Sequence, residues 1–139
     1  MRKRHSATPV PFTLVGILVG ASLTGCAMAN EFGSHEKEQS FATLADAPPP
    51  GEGAFAPPEF VPADATALRM RITTNGPSHI LRFSSPAPLD AQLCTPGPLT
   101  GEPPLDSTWW PIDVPADGTV CDTWQVFDQG GTTYAWTSA

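Results

Sequence analysis

Val120-Cys121-Asp122-Thr123-Trp124-Gln125-Val126-Phe127-Asp128-Gln129-Gly130-Gly131-Thr132-Thr133-Tyr134-Ala135-Trp136-Thr137 is the stretch that decides the fold. Val120, Asp122, Trp124 and Val126 recur with the period of two that marks one face of a strand. Asp128-Gln129-Gly130-Gly131 is a turn cluster, and Thr132–Thr137 is the returning strand. A three-residue loop, Gln129-Gly130-Gly131, with glycine in the left-handed position is a common hairpin connection. It sets Trp124 opposite Trp136 and Val126 opposite Tyr134, so the aromatic side chains enter one core. A two- or four-residue loop would move Trp136 to the face of Gln125 and Thr123, and burial favours the odd loop.

Upstream, a second hairpin follows from the same period. Leu68, Met70 and Ile72 alternate with Arg69 and Arg71, Asn75-Gly76-Pro77-Ser78 is a turn cluster, and His79–Ser84 returns. An even loop there pairs Ile72 with Leu81 and Met70 with Phe83. It also sets Arg71 opposite Arg82 with Arg69 nearby, on the other face. Like charges directly opposite are unfavourable, so an anionic group is expected between them. An internal Asp or Glu is one candidate, and an acidic ligand such as a wall phosphate or carboxylate is the other.

Between the hairpins, 86–106 reads as loop with a short strand over 89–94. The proline-rich run TPGPLTGEPPLDS is long enough to be functional or mobile. Trp109-Trp110-Pro111 follows. In a strand, adjacent side chains point to opposite faces, so one tryptophan would be exposed and able to stack on a sugar or anchor a partner. The alternative packs one under the long loop and the other in the core.

The prolines, 17 in 139 residues, are too densely scattered for long helices. Residues 62–139 are expected to form a small all-β domain of roughly five to seven strands, a sandwich or partly open barrel. A domain of that size needs a staple beyond its core. Cys94 and Cys121 supply one, because an even pair in an exported chain reads as a disulfide. Residues 26–61 read as a disordered tether: an acidic patch (Glu31, Glu36, Glu38), then APPPGEGAFAPPEFVP, which favours extended polyproline II. A short helix over 40–45 and docking of Phe55 and Phe60 on the domain are further expectations.

Export is read from the N-terminus. Arg2, Lys3 and Arg4 precede an apolar run over 12–23, the layout of a secretory signal. That run is too short to span about 30 Å of hydrocarbon as a helix. Leu23-Thr24-Gly25-Cys26 closes it and resembles the lipobox of bacterial prolipoproteins. Cleavage after a small-x-small triplet such as Ala27-Met28-Ala29 is the alternative. The resemblance implies that residues 1–25 are removed and that Cys26, now first, carries a diacylglyceryl thioether. Two or more acyl chains hold stably, at about 0.8 kcal/mol per buried CH₂. It implies a lipid-anchored, extracytoplasmic protein of the cell membrane. Ala27 stands where Asp would signal inner-membrane retention in Gram-negative family members.

Without residues 1–25, four basic and fourteen acidic residues remain, a formal charge of −10. That field does not favour nucleic acid, nor anionic lipid in the absence of the anchor. No GxSxG, HExxH, phosphate loop or dinucleotide fingerprint occurs. His79 is the single histidine of the domain, a Cys–His nucleophile is improbable with both thiols oxidised, and no catalytic residue, cofactor or metal is assigned. Asp113, Asp117 and Asp122 lack the dense spacing of a calcium loop. The expected function is a non-enzymatic envelope module that binds an envelope protein or cell-wall polymer, with Trp109, Trp110, Arg69, Arg71 and Arg82 as candidate contacts. A small carboxylate-based hydrolase and a purely structural lipoprotein are the alternatives.

Overall fold

The computed structural model describes residues 35–139. The expected signal segment and Cys26 lie outside the described residues. Seven strands form one open antiparallel sheet: β1 (Glu36–Thr43), β2 (Thr66–Thr73), β3 (His79–Ser84), β4 (Cys94–Pro98), β5 (Asp117–Cys121), β6 (Trp124–Gln129) and β7 (Thr132–Thr137). Their spatial order is β1-β2-β3-β7-β6-β5-β4. The all-β, disulfide-stapled domain expected from the sequence is what forms.

Several local expectations give way to neighbours that one strand cannot reveal. Residues 36–43 were expected in the tether but pair along β2, which moves the start of the folded unit well upstream of 62. A 3₁₀ turn over Leu44–Asp46 replaces the short helix, its N-terminus capped by Thr43 and Asp46. The β2–β3 register is shifted by two from the expected one, with Met70 opposite Leu81, Arg69 opposite Arg82, Arg71 opposite Ile80 and Ile72 opposite His79. Thr74 gives its N–H to His35 beside β1 at 2.7 Å, so the turn closes one residue earlier, between Thr73 and Ser78. A shift of two keeps every side chain on its expected face.

The C-terminal hairpin departs further. Gln129 pairs with Thr132, leaving the two-residue loop Gly130-Gly131. Both glycines have positive φ, 61° and 81°, the conformation of a type I′ turn whose twist suits a hairpin. Gln125 therefore faces Trp136 and Phe127 faces Tyr134. Burial did not decide the register because both faces of the sheet are covered. Nor is 120–126 one strand: Asp122 adopts the left-handed conformation (φ 55°) that short polar residues tolerate, and it turns the chain from β5 into β6.

One face carries Leu68, Met70, Ile72, Leu81, Phe83, Val126 and Ala135. The segment 44–65 closes over it, its base joined by Leu44 N–H donating to the Ala65 carbonyl at 3.1 Å. Phe60 and Val61 are buried there and Phe55 is half-buried, so the expected docking of Phe55 and Phe60 occurs. The opposite face carries Ile80, Phe127, Tyr134 and Trp136 beneath the segment 99–116. That second cover is joined at its base by Leu99 N–H donating to Ala116 at 2.9 Å.

At the far edge Cys94 and Cys121 are bonded across β4 and β5, with Cα atoms 4.2 Å apart. The strand expected over 89–94 instead begins at Cys94 and contains Pro96 and Pro98. The close Cα approach and the Leu99–Ala116 bond place Cys94, Pro96 and Pro98 at non-hydrogen-bonded positions. Their backbone nitrogens face outward, where proline lacks a donor and Cys94 N–H is taken by the Asp90 carbonyl. The edge is thereby blocked to a further strand.

Candidate functional site

The second cover is positioned by contacts at three places. At its base Leu99 lies over Gly118, where a Cβ would come within 2.9 Å of a Leu99 methyl and would clash with the Val126 carbonyl. Thr100 N–H donates to the Gln125 side chain at 2.9 Å. In the middle Leu105 and Trp109 are buried. Trp110 meets Phe127, Tyr134 and Trp136 edge-to-face, with centroids 5.5–6.3 Å apart. Toward β1 the Ser107 hydroxyl donates to Glu38 at 3.3 Å.

Trp109 and Trp110 lie in a turn, not a strand. The alternation that would expose one of them does not apply, and both rings pack on the same face, 6.0 Å apart. Their indole N–H groups are buried without a partner at hydrogen-bond geometry among the described residues. The expectation that one is openly exposed is corrected: Trp109 is 8% exposed, while Trp110 is half-buried.

Two places on this face could hold a ligand. The first is an open hollow of about 730 Å³ bordered mainly by the cover itself, with Trp110 and Trp136 on its floor and Glu102, Asp106 and Ile112 among its lining. Ile112 is 99% exposed. The sequence marked the proline-rich loop as functional or mobile but did not single out these residues. Their signal was a short Ile112-Asp113-Val114 run between Pro111 and Pro115, in a loop with three acids.

The second is the arginine cluster. Arg69, Arg71 and Arg82 share the face with Glu36 and Glu38, the internal acids the sequence called for. Arg71 donates to Glu36 through Nε (3.0 Å) and Nη2 (2.6 Å), and Arg69 Nε donates to Glu38 at 2.6 Å. The guanidinium carbons of Arg69 and Arg82 lie 5.9 and 5.5 Å from the centroid of the Trp109 ring. Burial alone would raise the Glu38 pKa. The adjacent Trp109 N–H, the Arg69 guanidinium and the Ser107 hydroxyl outweigh it and hold the carboxyl below 4.5.

The structure thus gathers Arg69, Arg71, Arg82 and Trp109, and sets Trp110 beside them at the hollow. The disulfide stands apart, on the other face and at the far edge. Asp117 and Asp122 sit at opposite ends of β5, and among the described residues no three His, Cys, Asp or Glu side chains gather as metal ligands. No protein-family model, characterised protein or solved structure matches the chain.

Proposed function

We propose that the chain is an extracytoplasmic lipoprotein, held to the membrane through lipid on Cys26, whose domain is a non-enzymatic binding module for an envelope protein or cell-wall polymer. The observation that carries the binding reading is the hollow in the second cover, with indoles on its floor and a fully exposed isoleucine among its lining. An apolar residue left in water at the mouth of an aromatic-floored concavity is suited to contact a partner. Glu102 and Asp106 supply hydrogen-bond acceptors beside it.

Two measurements test the two halves. Mass spectrometry of the mature N-terminus should find Cys26 bearing a diacylglyceryl group; an unmodified chain starting at Ala27 or beyond contradicts the anchor. Ile112→Asp should leave the melting temperature unchanged and weaken retention of solubilised envelope material. Unchanged retention contradicts the assigned surface. The hydrolase reading has one observation in its favour, that Glu102 and Asp106 line the same hollow. It gains if Glu102→Gln or Asp106→Asn abolishes turnover of a wall polymer while binding persists.

A further inference from the structure

We propose that Arg82, with Arg69, forms an oxyanion-binding site that takes a phosphate group, distinct from the hollow and independent of the anchor. Only four basic residues follow the signal segment, and all three arginines among them stand together on one face of the sheet. Two carboxylates accompany them. Glu36 is taken by Arg71, and Glu38 by Arg69, with Ser107 and Arg71 Nη1 (3.8 Å) on its other oxygen. Arg82, directly opposite Arg69, has no carboxylate within ion-pair distance among the described residues. The cluster therefore holds one cation more than it can neutralise, inside a strongly acidic chain.

Two like charges at facing positions repel, and what lies against both is the π face of Trp109. A concavity of about 240 Å³ opens beside them, lined in part by Ser40, Ala42, Ala67, Arg69 and Arg82. Ala67 holds a left-handed backbone (φ 52°) at a register shift between Thr66 and Arg69. A strained bulge of this kind re-aims neighbouring side chains and is found beside functional sites. The donors on offer are the whole fork of Arg82, the terminal nitrogens of Arg69, which commits its Nε alone to Glu38, and the Ser40 hydroxyl. Planar guanidinium forks match phosphate oxygens two at a time, and the two arginines stand at facing positions beside one ring. The phosphate could belong to a soluble polymer or to a lipid headgroup.

The test is a titration of the mature chain in detergent micelles with inorganic phosphate, at matched ionic strength, read by the indole N–H resonance of Trp109 and the Nε–H of Arg82. Saturable shifts are expected. Arg82→Gln should weaken the affinity by about tenfold or more, the scale of one charge-assisted hydrogen-bonding group. Arg82→Lys, which keeps the charge without the fork, should fall in between and serves if the Gln variant does not fold. Lys37→Gln, on the opposite face, should leave the affinity unchanged. No saturable shift, or one that survives Arg82→Gln, overturns the proposal. A glycerol-phosphate polymer and vesicles containing phosphatidylglycerol then distinguish the sources: competition by either alone supports the site and names its ligand.

Discussion

The two covers of the sheet are built alike at the base and differently above it. Segments 44–65 and 99–116 are each closed by one backbone hydrogen bond and each send apolar side chains down onto the sheet. The first sends Phe60, Val61 and Ala65 onto a mainly aliphatic face that also holds Phe83, and hollows of about 440 and 300 Å³ lie along it. The second meets an aromatic face, borders an open hollow of about 730 Å³ and leaves Ile112 in water. Burying apolar area drives both onto the sheet. They differ in what they leave in water: the second exposes Ile112, and among the described residues the first leaves no large apolar side chain exposed. Conformational stability should therefore depend mainly on the first face and recognition on the second.

Truncation under each cover is the strongest way to break that contrast. Phe83→Ala, beneath the first, removes a side chain that is 1% exposed and should cost about 3–5 kcal/mol in denaturant unfolding. Reducing the Cys94–Cys121 disulfide opens a link across 27 residues of sequence and should cost about 3–4 kcal/mol, seen as a melting temperature lower by many degrees. Trp110→Ala, beneath the second, should cost about 2 kcal/mol, since part of the ring is already solvated. If it costs as much as Phe83→Ala, the second cover is core like the first, and the contrast fails.

The smallest effect is expected from pH and sharpens the comparison. His79 is half-buried on the first face, 6.0 Å from the Trp124 ring, and burial lowers its pKa below 6.5. A lowered histidine binds its proton more readily in the unfolded chain. The stability it contributes is intact above the unfolded value and is lost as pH falls through the lower folded value. Glu38, on the second face, also has a lowered pKa. Its contribution is intact above 4.5 and lost as pH falls through the folded value beneath that. Acid titration of the melting temperature should show the His79 loss setting in below 6.5 and the Glu38 loss only below 4.5, with His79→Gln removing only the first.

Much of the sheet was legible in the sequence, and what was missed has a common cause. The alternation of Leu68, Met70 and Ile72 with the arginines identifies a strand and its buried side. Register depends on partners elsewhere in the chain. Glu36–Thr43 carries few apolar residues because it lies at an edge, so it read as tether, although the acids that the arginines required are its Glu36 and Glu38. Gly130-Gly131 fixed the last turn more firmly than burial of Trp136, because an aromatic residue on either face finds a cover. Pro96 and Pro98 disguised β4, whose prolines point their missing donors outward. The two tryptophans read as strand neighbours because their size suggested a packed strand, although Asp106-Ser107 and Pro111 flank the turn that Trp110 N–H closes on the Ser107 carbonyl.

The most direct test of the proposed binding surface places a photoreactive amino acid at Ile112 on the second cover, and separately at exposed Glu52 on the first. Each variant is irradiated as the full-length protein in the native envelope. Discrete adducts from position 112 and none from position 52 are predicted. Adducts from position 52 alone, or equally from both, would contradict the assignment of the second cover as the binding surface.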